Sequence, residues 1–128
     1  MTSENKVAKP LTTVGRTAEL SIVTEDQVKV PAKIDTGADA SAIWASEIEV
    51  DSSGELSFCL FAKGSKFYSG KRHSTRSFGV MVIRSAHGTL QVRYSAQLVV
   101  RLAGRRVRGT FTLADRSKNT YPVLVGCK

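Results

Sequence analysis

Short segments of alternating apolar and polar residues recur along this chain, with a turn signal about every ten residues and no stretch of helical periodicity. A chain patterned this way has one economical way to hide its apolar faces. It closes its strands on themselves, so the expected architecture is all-β, a small closed or nearly closed β-barrel with little helix. With 128 residues it has material for one compact domain, and 41% hydrophobic residues supply a core.

The segments can be placed one by one. Ala18–Ile22 and Val28–Val30 read as a hairpin around Thr24–Gln27. Lys33-Ile34 then runs into the polar turn Asp35-Thr36-Gly37-Ala38-Asp39. Ala40–Ile48 is compatible with a strand or a helical turn. Asp51–Gly54 is a turn before an apolar strand, Leu56–Ala62. Lys63–Arg76 is polar and basic, with Gly64 and Gly70, and reads as a loop. Val80–Ile83 has the composition of a buried strand, and Leu90–Tyr94 returns from the turn at Arg84–Gly88. Gln97–Leu102 and Val107–Leu113 form a second hairpin, and Tyr121–Gly126 is a short closing strand. Residues 1–13 are polar and read as a flexible arm before a domain spanning 14–128.

Charge narrows the partners. Lys plus Arg is 19 and Asp plus Glu is 11, a net charge of +8. Such an excess favours acidic polypeptides or nucleic acid, or serves solubility alone. Lys63, Lys66, Lys71, Arg72, His73 and Arg76, interleaved with Phe67 and Tyr68, have the composition of a single-strand nucleic-acid contact or of a solvated loop. Arg101, Arg105, Arg106 and Arg108 form another basic patch. Cys59 and Cys127 show no disulfide framework and are expected as reduced thiols. With only His73 and His87 beside them, no metal site or other cofactor is expected. No run spans a bilayer and no secretory signal is visible, so a cytoplasmic protein is expected.

Two separated motifs carry the chemistry. The first is Lys33-Ile34-Asp35-Thr36-Gly37-Ala38, continued by Asp39, after an apolar strand. The second is Asp115-Arg116, followed after a gap by Tyr121-Pro122-Val123-Leu124-Val125-Gly126. In this order they resemble the retropepsin-like aspartic peptidases, and most closely the bacterial group that carries the label ATP-dependent zinc protease. Members of that group occur beside ligases that add glutamate tails to a ribosomal protein.

The resemblance implies a retropepsin-like closed β-barrel with a flap hairpin, here Val80–Tyr94. It implies an aspartic endopeptidase in which Asp35 is the catalytic carboxylate and Thr36 and Gly37 support its loop. Ala38, Asp39, Arg84, Ser85, His87 and Gly88 would then meet the peptide substrate. Asp39 remains open as a second acid within the same chain. Two carboxylates must share one proton across a water, and one chain offers a single such motif, so a homodimer is expected. In the resembled family the final glycine is followed by arginine and a short helix. Here Cys127-Lys128 follow, which implies a trimmed form or a dimer held by other contacts.

Two functions from different classes stand at this point. One is a dimeric endopeptidase acting on peptides, including acidic, glutamate-rich ones. The other is a catalytically inactive module of the same fold that binds nucleic acid or an acidic protein through its basic surface.

Overall fold

Alternation along the strands decides what is inside. Val30 and Ala32 are buried on one strand, Ile43 and Ala45 on the next, and Leu98 and Val100 or Phe111 and Leu113 on two others. Burying each large apolar side chain is worth about 1.5–3 kcal/mol, and a slip of one residue would turn a whole row to solvent. The computed structural model describes residues 16–25, 28–38, 40–84 and 87–126. Expectations for the arm at 1–13, for Asp39, Ser85 and Cys127, and for part of the 24–27 turn lie outside the described residues.

The described residues form nine strands and no helix: β1 (Arg16–Ile22), β2 (Val30–Asp35), β3 (Ser41–Val50), β4 (Leu56–Leu60), β5 (Arg72–Thr75), β6 (Gly79–Arg84), β7 (Leu90–Leu102), β8 (Arg105–Ala114) and β9 (Val123–Gly126). Six of them pair in a closed ring, in the order β9-β2-β1-β7-β8-β3 and back to β9. Two of these pairings, β9 with β2 and β3 with β8, are parallel. Leu20, Ile43, Phe58, Leu60, Phe111 and Val123 meet in the shared core. Strands β4 and β5 extend outward from β3, and β6 pairs with the first half of β7 as a projecting hairpin. No helix among the described residues is long and apolar enough to cross a membrane.

Several local expectations are corrected. The segment compatible with strand or helix is a ten-residue strand whose register shifts between Ser46 and Glu49. Glu47 takes a positive φ of 53° in that bulge, which breaks the two-residue period and explains the ambiguity. The apolar strand from Leu56 ends at Leu60 rather than Ala62, because Phe61 turns at φ 62° to bond its amide to the Trp44 carbonyl. The basic loop contains a strand, β5, whose half-buried residues are His73 and Thr75 and so give no apolar signal.

His73 reaches Glu25, which is buried although it belongs to a polar turn. The segments expected as two strands, Leu90–Tyr94 and Gln97–Leu102, are one continuous β7 of 13 residues. Val80, Met81 and Val82, expected inside, are 51–61% exposed, and Leu90 and Val92 on the returning strand are exposed as well. Over Leu90–Arg93 the strand β7 pairs with β6 alone among the described residues, and its pairing with the ring strand β8 begins at Tyr94.

Candidate active site

Strand β9 is wedged between β2 and β3, the two strands that the 36–40 loop joins. Val123 sits beside Ala32 on β2 and beside Ile43 on β3, all three fully buried. This wedge carries the loop across the end of β9, where Asp35 is the register partner of Gly126. A Cβ at Gly126 would lie 2.7 Å from the Ala40 carbonyl oxygen and 2.8 Å from that of Ala38, so only glycine fits beneath the loop. The Gly126 amide donates to Ser41 Oγ at 3.1 Å and ties the loop's far end to the same strand.

Within the loop the Gly37 amide donates to Asp35 Oδ1 at 2.9 Å, and the Ala38 amide to the Asp35 carbonyl at 3.2 Å. One carboxylate oxygen is thereby held by the chain's own backbone. The other has no partner among the described residues, and Asp35 is half-buried. Thr36, expected to support the loop, is exposed, and its hydroxyl makes no bond among the described residues. Of the two residues expected to support the loop, Gly37 makes the bond, through its amide.

Asp35 opens onto a cleft of about 360 Å³ that is also lined by Lys33, Arg116, Asn119, Thr120, Tyr121 and Leu124. Lys33 and Leu124 are register partners across β2 and β9, so they share the face away from the core. Arg116 comes from the turn before β9 and donates from Nε to the Tyr121 carbonyl at 3.1 Å. Partial burial pulls its guanidinium below its ordinary pKa, yet arginine stays protonated. Bonds from Ser117, first from its side chain and then from its amide, hold the Asp115 carboxyl below its usual range. Asp115 does not line the cleft.

A second groove, of about 470 Å³, is bordered by Ala40, Ser41, Val125, Gly126, Phe111 and Met81. Met81 brings the projecting β6–β7 hairpin beside the loop. The hairpin residues singled out from sequence sit elsewhere. Arg84 donates from Nη1 to the Gly88 carbonyl at 3.1 Å and clasps the hairpin end, His87 is exposed, and Gly88 turns at φ 81°. None of these three lines either cavity.

Sequence reading missed Lys33, Arg116, Ser41 and Met81 as site residues. The first two stand inside the quoted motifs, where Lys33 breaks the apolar run of its strand. Nothing in the pattern marked the other two. Among the described residues no three His, Cys, Asp or Glu side chains gather as a metal site, and Cys59 is a buried free thiol.

Comparison with known proteins agrees with this geometry. The solved structure of protein Lpg0085 from Legionella pneumophila subsp. pneumophila, described as of unknown function, superposes with a TM-score of 0.58 at 20% identity, covering 88% of this chain and 81% of that one. That likeness is one of fold. No curated protein matches the chain. The family profile described as RimB-like, retropepsin-like aspartic endopeptidase RimB, matches residues 13–128. With its aspartate turn seated over the closing glycine strand, the chain belongs to the RimB-like family of retropepsin-like aspartic endopeptidases.

Proposed function

We propose that the protein is an aspartic endopeptidase whose catalytic carboxylate is Asp35, acting in a homodimer on peptides that include acidic ones. The observation that carries this reading is the Asp35 carboxylate itself. One oxygen is anchored by the Gly37 amide, the other has no partner among the described residues, and Asp35 lines an open cleft. Asp35 from a second copy supplies the other member of the pair. Two carboxylates this close share one proton, so the ionised one takes a proton from water as its oxygen attacks the peptide carbonyl. The protonated one donates toward the carbonyl oxygen, and the pair titrates as a unit.

The test compares wild type with Asp35→Asn on acidic and mixed peptides across mildly acidic to neutral pH, with oligomeric state measured on the same samples. Hydrolysis that disappears in Asp35→Asn, and a specific activity that rises with protein concentration as the dimer forms, support the mechanism. No hydrolysis by a folded wild-type dimer overturns it.

One observation favours the second reading, a module that binds polyanions. Arg101 stands directly opposite Arg106 across β7 and β8, Arg108 lies on the same face, and all three are exposed. Directly opposed like charges weaken a sheet by roughly 0.2–1 kcal/mol, a cost that a bound polyanion removes. A salt-dependent oligonucleotide affinity that falls in Arg106→Gln supports that reading. Affinity unchanged by the substitution sinks it.

A further inference from the structure

The groove beside Ala40 and Gly126 lies where the ring is least complete. Strand β8 pairs with β7 along Arg105–Leu113, but its other neighbour, β3, joins only at Phe111. Residues 106–110 therefore form a strand edge with no ladder partner on that side among the described residues. The same groove opens onto the core. Val100 and Phe111, both buried, line it, together with the partly buried Leu102 and Val125 and with Val107, which is 44% exposed. An unpaired edge and uncovered apolar side chains in one groove are what an extended apolar segment satisfies together.

Such a segment leaves from beside this groove. Arg16, the first residue of β1, is the register partner of Ile34, and Ile34 is that of Val125 on the groove's border. Two strand spacings, about 10 Å, separate the start of β1 from the groove. Residues 1–15 precede Arg16, enough extended chain for about 50 Å. Among them Val7, Leu11 and Val14 are apolar, and Pro10-Leu11-Thr12-Thr13-Val14 carries no charge. Pro10 suits the place, because an added edge strand keeps a residue without an N–H on its solvent side. A tethered segment meets the groove at an effective concentration of roughly a millimolar. A second copy, repelled by a net charge of +8, lacks that advantage.

We propose that residues 7–14 of this chain's own arm dock in the groove as an added strand on the 106–110 edge. Leu11 seats against Leu102, Val107 and Val125, and the arm closes the open end of the ring beside Ala40 and Ser41. The docking does not depend on the reading of Asp35 as the catalytic carboxylate.

Hydrogen exchange of the full chain, read by mass spectrometry, tests this without a ligand. The amides of 106–110 should exchange about 10-fold faster in Leu11→Asp than in wild type, because a buried leucine no longer holds the docked state. Leu11→Met should keep most of the protection. Ser3→Asp adds the same charge outside the docked segment and should change nothing. Urea midpoints give a second reading. Leu11→Asp and Val107→Asp should each lower the midpoint, and together by clearly less than the sum, because both break one contact.

Exchange at 106–110 as fast in wild type as in Leu11→Asp overturns the docking, and so does an equal loss of protection in Ser3→Asp. Additive midpoint shifts also overturn it. Protection that grows with protein concentration would assign the groove to the arm of another copy and overturn the proposal as well.

Discussion

Asp35 and Gly126 are register partners across the parallel pair β2–β9, and the loop that starts at Asp35 doubles back over Gly126. The carbonyl oxygens of Ala38 and Ala40 press on the position a Gly126 side chain would occupy. The aspartate is thus placed by a close backbone contact made 91 residues further along the chain (126 − 35). A side chain held at strand ends and braced by backbone keeps its geometry within a narrow range.

Gly126→Ala is therefore expected to destabilise the fold by about 1–3 kcal/mol, the usual cost of forcing a methyl into filled space. Because the obstacle is backbone, the loop must lift, and peptide hydrolysis should fall further than the loss of folded protein explains. Urea unfolding with an unchanged slope reads the first effect, and activity per folded molecule the second. Gly88→Ala is the comparison. Its Cβ meets nothing within 4 Å, so the cost is the left-handed backbone alone, about 1 kcal/mol. Equal losses in the two variants would show that the loop over β9 yields freely.

Glu25 joins three parts of the chain. Its carboxylate accepts from Ser69 Oγ at 2.6 Å and meets His73 Nε2 at 2.5 Å, while His73 stacks on Phe58. Lys71 reinforces the same join by donating to the Thr24 carbonyl at 2.8 Å. Glu25→Ala leaves two polar groups facing an emptied site and is expected to cost about 2–4 kcal/mol. His73→Phe preserves the stacking on Phe58 and should cost less. Denaturant midpoints of the two variants check the order, and a larger loss in His73→Phe would place the weight on the ring rather than the carboxylate.

The Tyr68 hydroxyl donates to Glu47 at 2.7 Å in the β3 bulge. That bond, with burial and the charge of Glu47 adding to it, pushes the phenol up to about 12. The same bond is the first cause that draws the Glu47 carboxyl down, ahead of the nearby Arg72. The signs follow. A raised tyrosine pKa gives stability that is complete below about 10 and is lost as pH rises through about 12. A depressed carboxyl gives stability present above its ordinary 4.5 and lost as pH falls through its lowered value. Absorbance titration should show one tyrosine ionising near 12, a step that vanishes in Tyr68→Phe and moves down in Glu47→Gln. A late step that survives Tyr68→Phe would assign it to another tyrosine.

Much of the strand order along the chain was legible because burial on one face writes a two-residue period into the sequence. Lys33–Gly37 and Tyr121–Gly126 were equally legible, since a strand running into Asp-Thr-Gly and a glycine-ended apolar strand are local patterns. The errors share one cause, which is that the deciding partner is remote. Glu25 reads as a solvated turn residue until His73 and Ser69 arrive to satisfy it. Val80 and Val82 read as buried until the hairpin is seen to project beyond the ring. Arg72–Thr75 reads as loop because β4, its pairing partner, lends it an order that its own polar residues do not announce.

By itself the sequence determined an all-β chain, the aspartate turn at Asp35 and the glycine strand that ends at Gly126, because alternation and turn chemistry act between near neighbours. The tertiary structure alone decided that β9 wedges between β2 and β3, that Gly126 has no room for a side chain, and that Lys33 and Arg116 line one cleft with Asp35. Parallel pairing joins segments far apart in the chain, and no local period records which segment comes to lie beside which.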